Sequence, residues 1–170
     1  MAARSGVASR AAIAVDVSDR QRILRVSARW LTAIVRRALA AERIDRAEVG
    51  ITLLDDRRMA AVHRRWLGIA GPTDVITFDL SGAGAGGVRD AALAGDIVVS
   101  TETARRQARA FGWTPRQELA YYVVHGLLHL TGYDDLAPAD RRVMRARERT
   151  VMKACGLPRP PRGRVAGTHP

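Results

Sequence analysis

Residues 115–135 read PRQELAYYVVHGLLHLTGYDD, and the fold turns on them. Pro115 suits the first turn of a helix and Gly132 suits its end, so the pattern predicts one helix from Pro115 to about Thr131. His125 and His129 stand four apart, which puts both imidazoles on one helix face, a turn apart. Leu127, Leu128 and Leu130 turn elsewhere to pack. The break at Gly132 lets the chain turn back and brings Asp134-Asp135 to where a third ligand would stand. Two histidines and a carboxylate on one zinc ion leave a fourth position for water, which is the catalytic arrangement. A histidine pair at this spacing is also common as core or surface filler, and the break and the carboxylates are what favour metal. Position 126 is Gly, so the glutamate of the HExxH peptidases is missing and a zinc peptidase is disfavoured. Glycine inside a helix costs about 1 kcal/mol against Ala. Close approach by another backbone or by a bulky substrate is a reason to accept that cost.

Upstream, residues 11–17 (AAIAVDV) alternate like a strand. Apolar spacing at Ile23, Leu24, Trp30, Leu31, Ile34, Val35 and Leu39 predicts a helix over 20–41 with Asp19 as its cap. A second strand is expected over 47–54. Asp55 then caps a helix over 56–66, with Met59, Val62, His63 and Trp66 on one face. Gly71-Pro72 breaks the chain before a third strand at 73–80. The stretch 81–92, SGAGAGGVRDAA, reads as a flexible loop, because it lacks both the P-loop Lys-Ser/Thr and the dinucleotide fingerprint. A fourth strand at 94–99 leads into a helix to about Ala110, capped by Ser100 or Thr101. Pro138 opens the last helix, which runs to Gly156. The expected class is α+β, a small mixed four-stranded sheet packed against about five helices. One domain over 11–157 is expected, with disorder at 1–10 and in the Pro- and Arg-rich tail 158–170.

Charge bounds the partners. Among 170 residues, Lys plus Arg is 28 and Asp plus Glu is 17, for a net charge of +11. Lys153 is the single lysine, which leaves 27 arginines. A GC-rich genome explains arginine over lysine but not the cation excess, which is the footprint of a polyanion binder. No apolar run approaches the roughly 20 residues of a membrane span. One cysteine, Cys155, excludes an intramolecular disulfide, points to a reducing compartment, and reads as a small filler near a helix end.

HGLLHLTGYDD at 125–135 resembles the signature H-G-x-L-H-L-x-G-Y-D-H of the bacterial rRNA maturation factor YbeY family, metal-dependent single-strand-specific endoribonucleases. PTDVITF at 72–78 is similar to the family's P-T-D-V-L-S-F, GDIVVS at 95–100 to its G-D-I-x-I-S, and MRARERTVM at 144–152 to its C-terminal helix. MAAVHRRW at 59–66 occupies the place of its L-N-x-x-Y-R. The resemblance covers roughly 11–157. It implies one zinc ion per chain on His125, His129 and Asp135, with Arg64 clamping the scissile phosphate and RNA of the ribosomal small subunit as partner, in the cytoplasm. The family's third ligand is a histidine, where this chain has Asp135. A carboxylate oxygen reaches about 2 Å less far from the backbone, so the loop must move in, the metal must shift, or a water must bridge. It also removes one positive charge from the site and weakens the Lewis acid. The rival is a non-catalytic ribosome- or RNA-binding factor that has lost the metal through this change.

Other residues keep two readings at this point. Arg64 is otherwise a solvated helix arginine, and His63 stands for an aromatic ring beside it. Asp96 is a hydrogen-bonding orienter of a ligand histidine or a buried structural group. Thr73 and Asp74 line the cleft or make a turn. Tyr133 stacks a base or packs over the helix end. The arginines at 141, 142, 145, 147, 149, 159, 162 and 164 track phosphates or are solvated, and His169 falls in the tail.

Overall fold

The computed structural model describes residues 12–82 and 92–161. The expectations for 1–10, for most of the glycine-alanine stretch, and for Arg162, Arg164 and His169 in the tail lie outside the described residues. In chain order the elements are β1 (Ala12–Asp19), α1 (Ala28–Ala41), β2 (Arg46–Leu54), α2 (Asp56–Leu67), β3 (Val75–Asp79), β4 (Leu93–Ser100), α3 (Thr101–Phe111), α4 (Pro115–Leu130) and α5 (Pro138–Ala154). The sheet order is β1-β2-β4-β3, with β3 antiparallel to β4 and the other pairs parallel. This is the expected α+β arrangement of a mixed four-stranded sheet and five helices.

Strand alternation sorts residues onto two faces. Val49, Ile51, Leu53, Val75, Ile97 and Val99 join the main core with α1, α4 and α5. Leu54, Ile76 and Val98 turn the other way and pack with Met59 of α2. Helix α4 lies close against β3 and β4. A Cβ on Gly126 would stand 3.0 Å from the methyl groups of Thr77 and Ile97, and one on Gly95 would stand 2.7 Å from Leu130. The close approach that Gly126 permits is therefore by branched side chains of the sheet, rather than by backbone or substrate.

The first helix starts later than its apolar spacing predicts. Ser27, not Asp19, is the cap, its hydroxyl accepting from Trp30 N. Gln21 explains the shift. It is buried, its Oε1 accepts from the backbone of Ile23 and Leu24, and its Nε2 donates to Asp19 and to the Leu24 carbonyl. A side chain that satisfies nearby backbone groups competes with the helix and wins here. Thr101, the first residue of α3, anchors it by donating to the same Oε1. Among the described residues no helix is long and apolar enough to cross a membrane.

Candidate metal centre

The site starts with how firmly α4 is held. Thr114 and Gln117 form a reciprocal capping box at its start, and Pro115 occupies its first turn. Residues 118–128 are all buried. The end is set by Gly132, whose φ of +100° suits glycine, and by Tyr133 N donating to the Leu128 carbonyl.

His125 and His129 face one another on this helix, their Nε2 atoms 3.1 Å apart. Asp135 closes the group, with Oδ2 at 3.9 Å from His125 Nε2 and Oδ1 at 3.8 Å from His129 Nε2. All three ligand-type atoms lie within 4.8 Å of one another. Asp134 does the turning instead: its Oδ1 accepts from the backbone of Asp135 and Leu136. Arg141 donates to the carbonyls of Asp135 and Leu136 and pins the loop from α5. The loop after Gly132 thus comes in far enough for the shorter side chain.

A residue that the sequence reading missed completes the arrangement. Glu148 of α5 is buried, and its Oε1 accepts from His125 Nδ1 at 2.7 Å and from the Tyr121 hydroxyl at 2.9 Å. With Nδ1 donating, the His125 Nε2 lone pair is turned toward His129 and Asp135. Burial and then the neighbouring Glu148 raise the Tyr121 phenol well above its ordinary value, so it stays a proton donor. The signal was in the sequence: Met144, Glu148, Val151 and Met152 share the buried stripe of α5, and a carboxylate does not belong in an apolar stripe without a partner.

The donor set fits zinc. A tetrahedral ion with bonds near 2.1 Å holds neighbouring ligand atoms about 3.4 Å apart, which falls within the 3.1 to 3.9 Å seen here. Two facing imidazole nitrogens on α4 and a carboxylate from the loop after it form a group that could hold a metal ion.

The remaining sequence-selected residues lie elsewhere. Asp96 is exposed on the sheet face opposite α4, lying over Gly50, where a Cβ would meet its Oδ1 at 2.1 Å. It orients no histidine; both faces of β4 are apolar along Ile97–Val99, which hid its parity. Arg64 is exposed in the last turn of α2, outside the His-His-Asp cluster. His63 is buried, its Nδ1 donating to the Gly71 carbonyl at 2.8 Å, a tie between α2 and the approach to β3. Asp74 makes a turn, accepting from Val75 N and the Thr73 hydroxyl. Tyr133 packs on the core and donates to Glu42. Arg147 is committed to Glu42 and the Ala41 carbonyl, so it and Arg141 serve the fold. Cys155 is buried filler, its thiol pushed up to about 11 by burial.

Comparison with known proteins adds kinship to this geometry. The family profile described as Endoribonuclease YbeY matches residues 14–156. The chain is 36% identical over 131 residues to an "Endoribonuclease YbeY" of Pelotomaculum thermopropionicum, covering 76% of this chain and 86% of that one. It is 42% identical over 136 residues to one of Chloroflexus aggregans, covering 75% and 89%. A Thermotoga maritima protein known from its solution structure superposes with a TM-score of 0.54 at 21% identity, over 84% of this chain and 90% of that one, a likeness of fold.

Proposed function

The chain belongs to the endoribonuclease YbeY family, and on that premise we propose that it is a zinc-dependent endoribonuclease for single-stranded RNA. Its role is in maturation of the small-subunit rRNA 3′ end and in ribosome quality control, in the cytoplasm with the small subunit as partner. The convergence of His125, His129 and Asp135 within 4.8 Å carries the reading. The net charge of +11 supports a polyanionic substrate.

Mechanistically, bound zinc supplies Lewis-acid activation of water and polarisation of the scissile phosphate. His125, His129 and Asp135 would hold it. Glu148 fixes the His125 ring through Nδ1, and Tyr121 fixes Glu148. Such outer partners keep the donor atoms in place before substrate arrives. Arg64 is the phosphate clamp of this reading; its side chain is exposed on the last turn of α2. The nucleophile of this reading is water or the RNA 2′-hydroxyl.

The test is cleavage of a labelled single-stranded RNA, with a matching duplex as control. Cleavage of the single strand alone, abolished by chelator and restored by zinc, is the expected result. RNA binding without cleavage at any metal loading would replace the enzyme with the non-catalytic binding factor.

A further inference from the structure

Three tryptophans occur in the chain, and two of them, Trp30 and Trp113, pack against the main core. Trp66 does not. Its helical spacing from Met59 and His63 predicts burial, and both of those are buried, yet Trp66 is 61% exposed. It stands in the last turn of α2; Ile69, just past that helix, and Leu80, just past β3, are also exposed apolar residues. The ring is held in place. Phe78 of β3 meets it at 5.5 Å between centroids with planes 69° apart, and the Arg65 guanidinium lies 5.6 Å from its centroid. Arg64 is exposed on the same turn.

We propose that Trp66 is a stacking platform for an unpaired nucleobase of the RNA strand, with Arg65 and Arg64 beside it for the flanking phosphates. This rests on the RNA reading above and adds a substrate subsite to it. An exposed, oriented indole bordered by guanidinium groups is what single-stranded nucleic acid uses: every base offers a π-face, and every linkage a negative charge. Charge selects the occupant, since arginines beside the ring favour a polyanion over an apolar protein helix. Position supports it too. Phe78, under the indole, is the chain neighbour of Thr77, whose methyl group lies against Gly126, next to His125. Strand β3 is an edge strand. The platform and helix α4, which carries the two histidines, therefore lie on opposite faces of one strand at the edge of the described sheet.

The experiment measures binding of a fluorescein-labelled 2′-O-methyl single strand, confirmed intact on a gel, to the zinc-loaded protein and to Trp66→Ala and Trp66→Phe. An otherwise identical strand with abasic sugars is run in parallel. Trp66→Ala is expected to weaken binding of the base-bearing strand about tenfold and Trp66→Phe about threefold or less, with unchanged circular dichroism and Tm. The abasic strand is expected to bind parent and Trp66→Ala alike. Equal binding of the base-bearing strand by parent and Trp66→Ala overturns the proposal, and so does an equal loss on the abasic strand; a tryptophan that docks a protein gives the first of these. Cleavage of unmodified RNA is followed separately. A parent that cleaves nothing but shows the tryptophan dependence loses the nuclease reading and keeps the platform; a parent that cleaves but shows no such dependence does the reverse.

Discussion

Helix α4, over one face of the sheet, is buried from Glu118 through Leu128, whereas α2, over the other, buries only Met59 and His63. The first helix brings polar groups inside, and each of the site groups is matched: His125 to Glu148, Glu148 to Tyr121, and His129 to His125. The second leaves its last turn, Arg64 to Trp66, in solvent. Buried donors must be placed by the fold because an unmatched one is costly, so the α4 side holds its His-His-Asp group in a fixed arrangement that could take a metal ion. Exposed arginines and an exposed ring adapt to whatever strand arrives. Substitutions on the α4 side should therefore change stability and metal together, while those in the exposed last turn of α2 should change substrate handling alone.

The strongest break in this contrast is His129→Ala. It removes a donor while leaving His125 and Glu148 intact, and metal affinity should fall by more than the roughly 10- to 100-fold that outer partners are worth. Cleavage should vanish with it; chelator competition and an RNA gel read the two effects. Next is Glu148→Ala, expected to cost 10- to 100-fold in metal affinity and about 2–4 kcal/mol in urea unfolding, because His125 Nδ1 and the Tyr121 hydroxyl lose their acceptor. Glu148→Gln keeps an acceptor oxygen and should lie between parent and Ala. An unchanged metal affinity in Glu148→Ala would reduce that residue to packing.

Gly126→Ala sharpens the comparison by testing how tightly α4 lies on the sheet. The helix gains about 1 kcal/mol from alanine, but the new methyl group meets Thr77 and Ile97 at 3.0 Å. Overpacking costs about 1–3 kcal/mol, so a net loss of about 1 kcal/mol is expected in denaturant unfolding. The smallest effect is at the start of α2. Burial raises the Asp56 carboxyl, but hydrogen bonds from Ser100, Thr103 and Arg106, with the Arg106 charge, bring it below its ordinary value of 3.8. A folded pKa below the unfolded one stabilises the protein above about pH 4 and is lost as pH falls through the folded value. Asp56→Asn should flatten the acid limb of stability against pH, by less than about 1 kcal/mol given the exposure of Arg106.

The sequence displays what is local. The helix from Pro115, its stop at Gly132 and the one-turn spacing of His125 and His129 all follow from residues within one turn or loop of each other. What it hides depends on distant partners. Glu148 lies 23 residues from His125 on another helix, among arginines that make it read as one more surface charge. The start of α1 depends on Gln21, whose role is anchored by Thr101, 80 residues away. Asp96 reads as an orienter of a ligand histidine or as a buried structural group, yet it is exposed, because a strand covered on both sides shows little alternation. Trp66 fits an inward spacing yet faces solvent, and nothing in the heptad around it distinguishes the two outcomes.

The central claim is that His125, His129 and Asp135 hold a metal ion in spite of the carboxylate at the third position. Metal content of the purified, untagged protein by mass spectrometry, beside Asp135→Ala and Asp135→His, tests it most directly. About one zinc per chain is expected for a single three-ligand site, lost in Asp135→Ala and kept in Asp135→His. A parent without metal that regains it in Asp135→His would contradict the claim and show that the aspartate had ended metal binding.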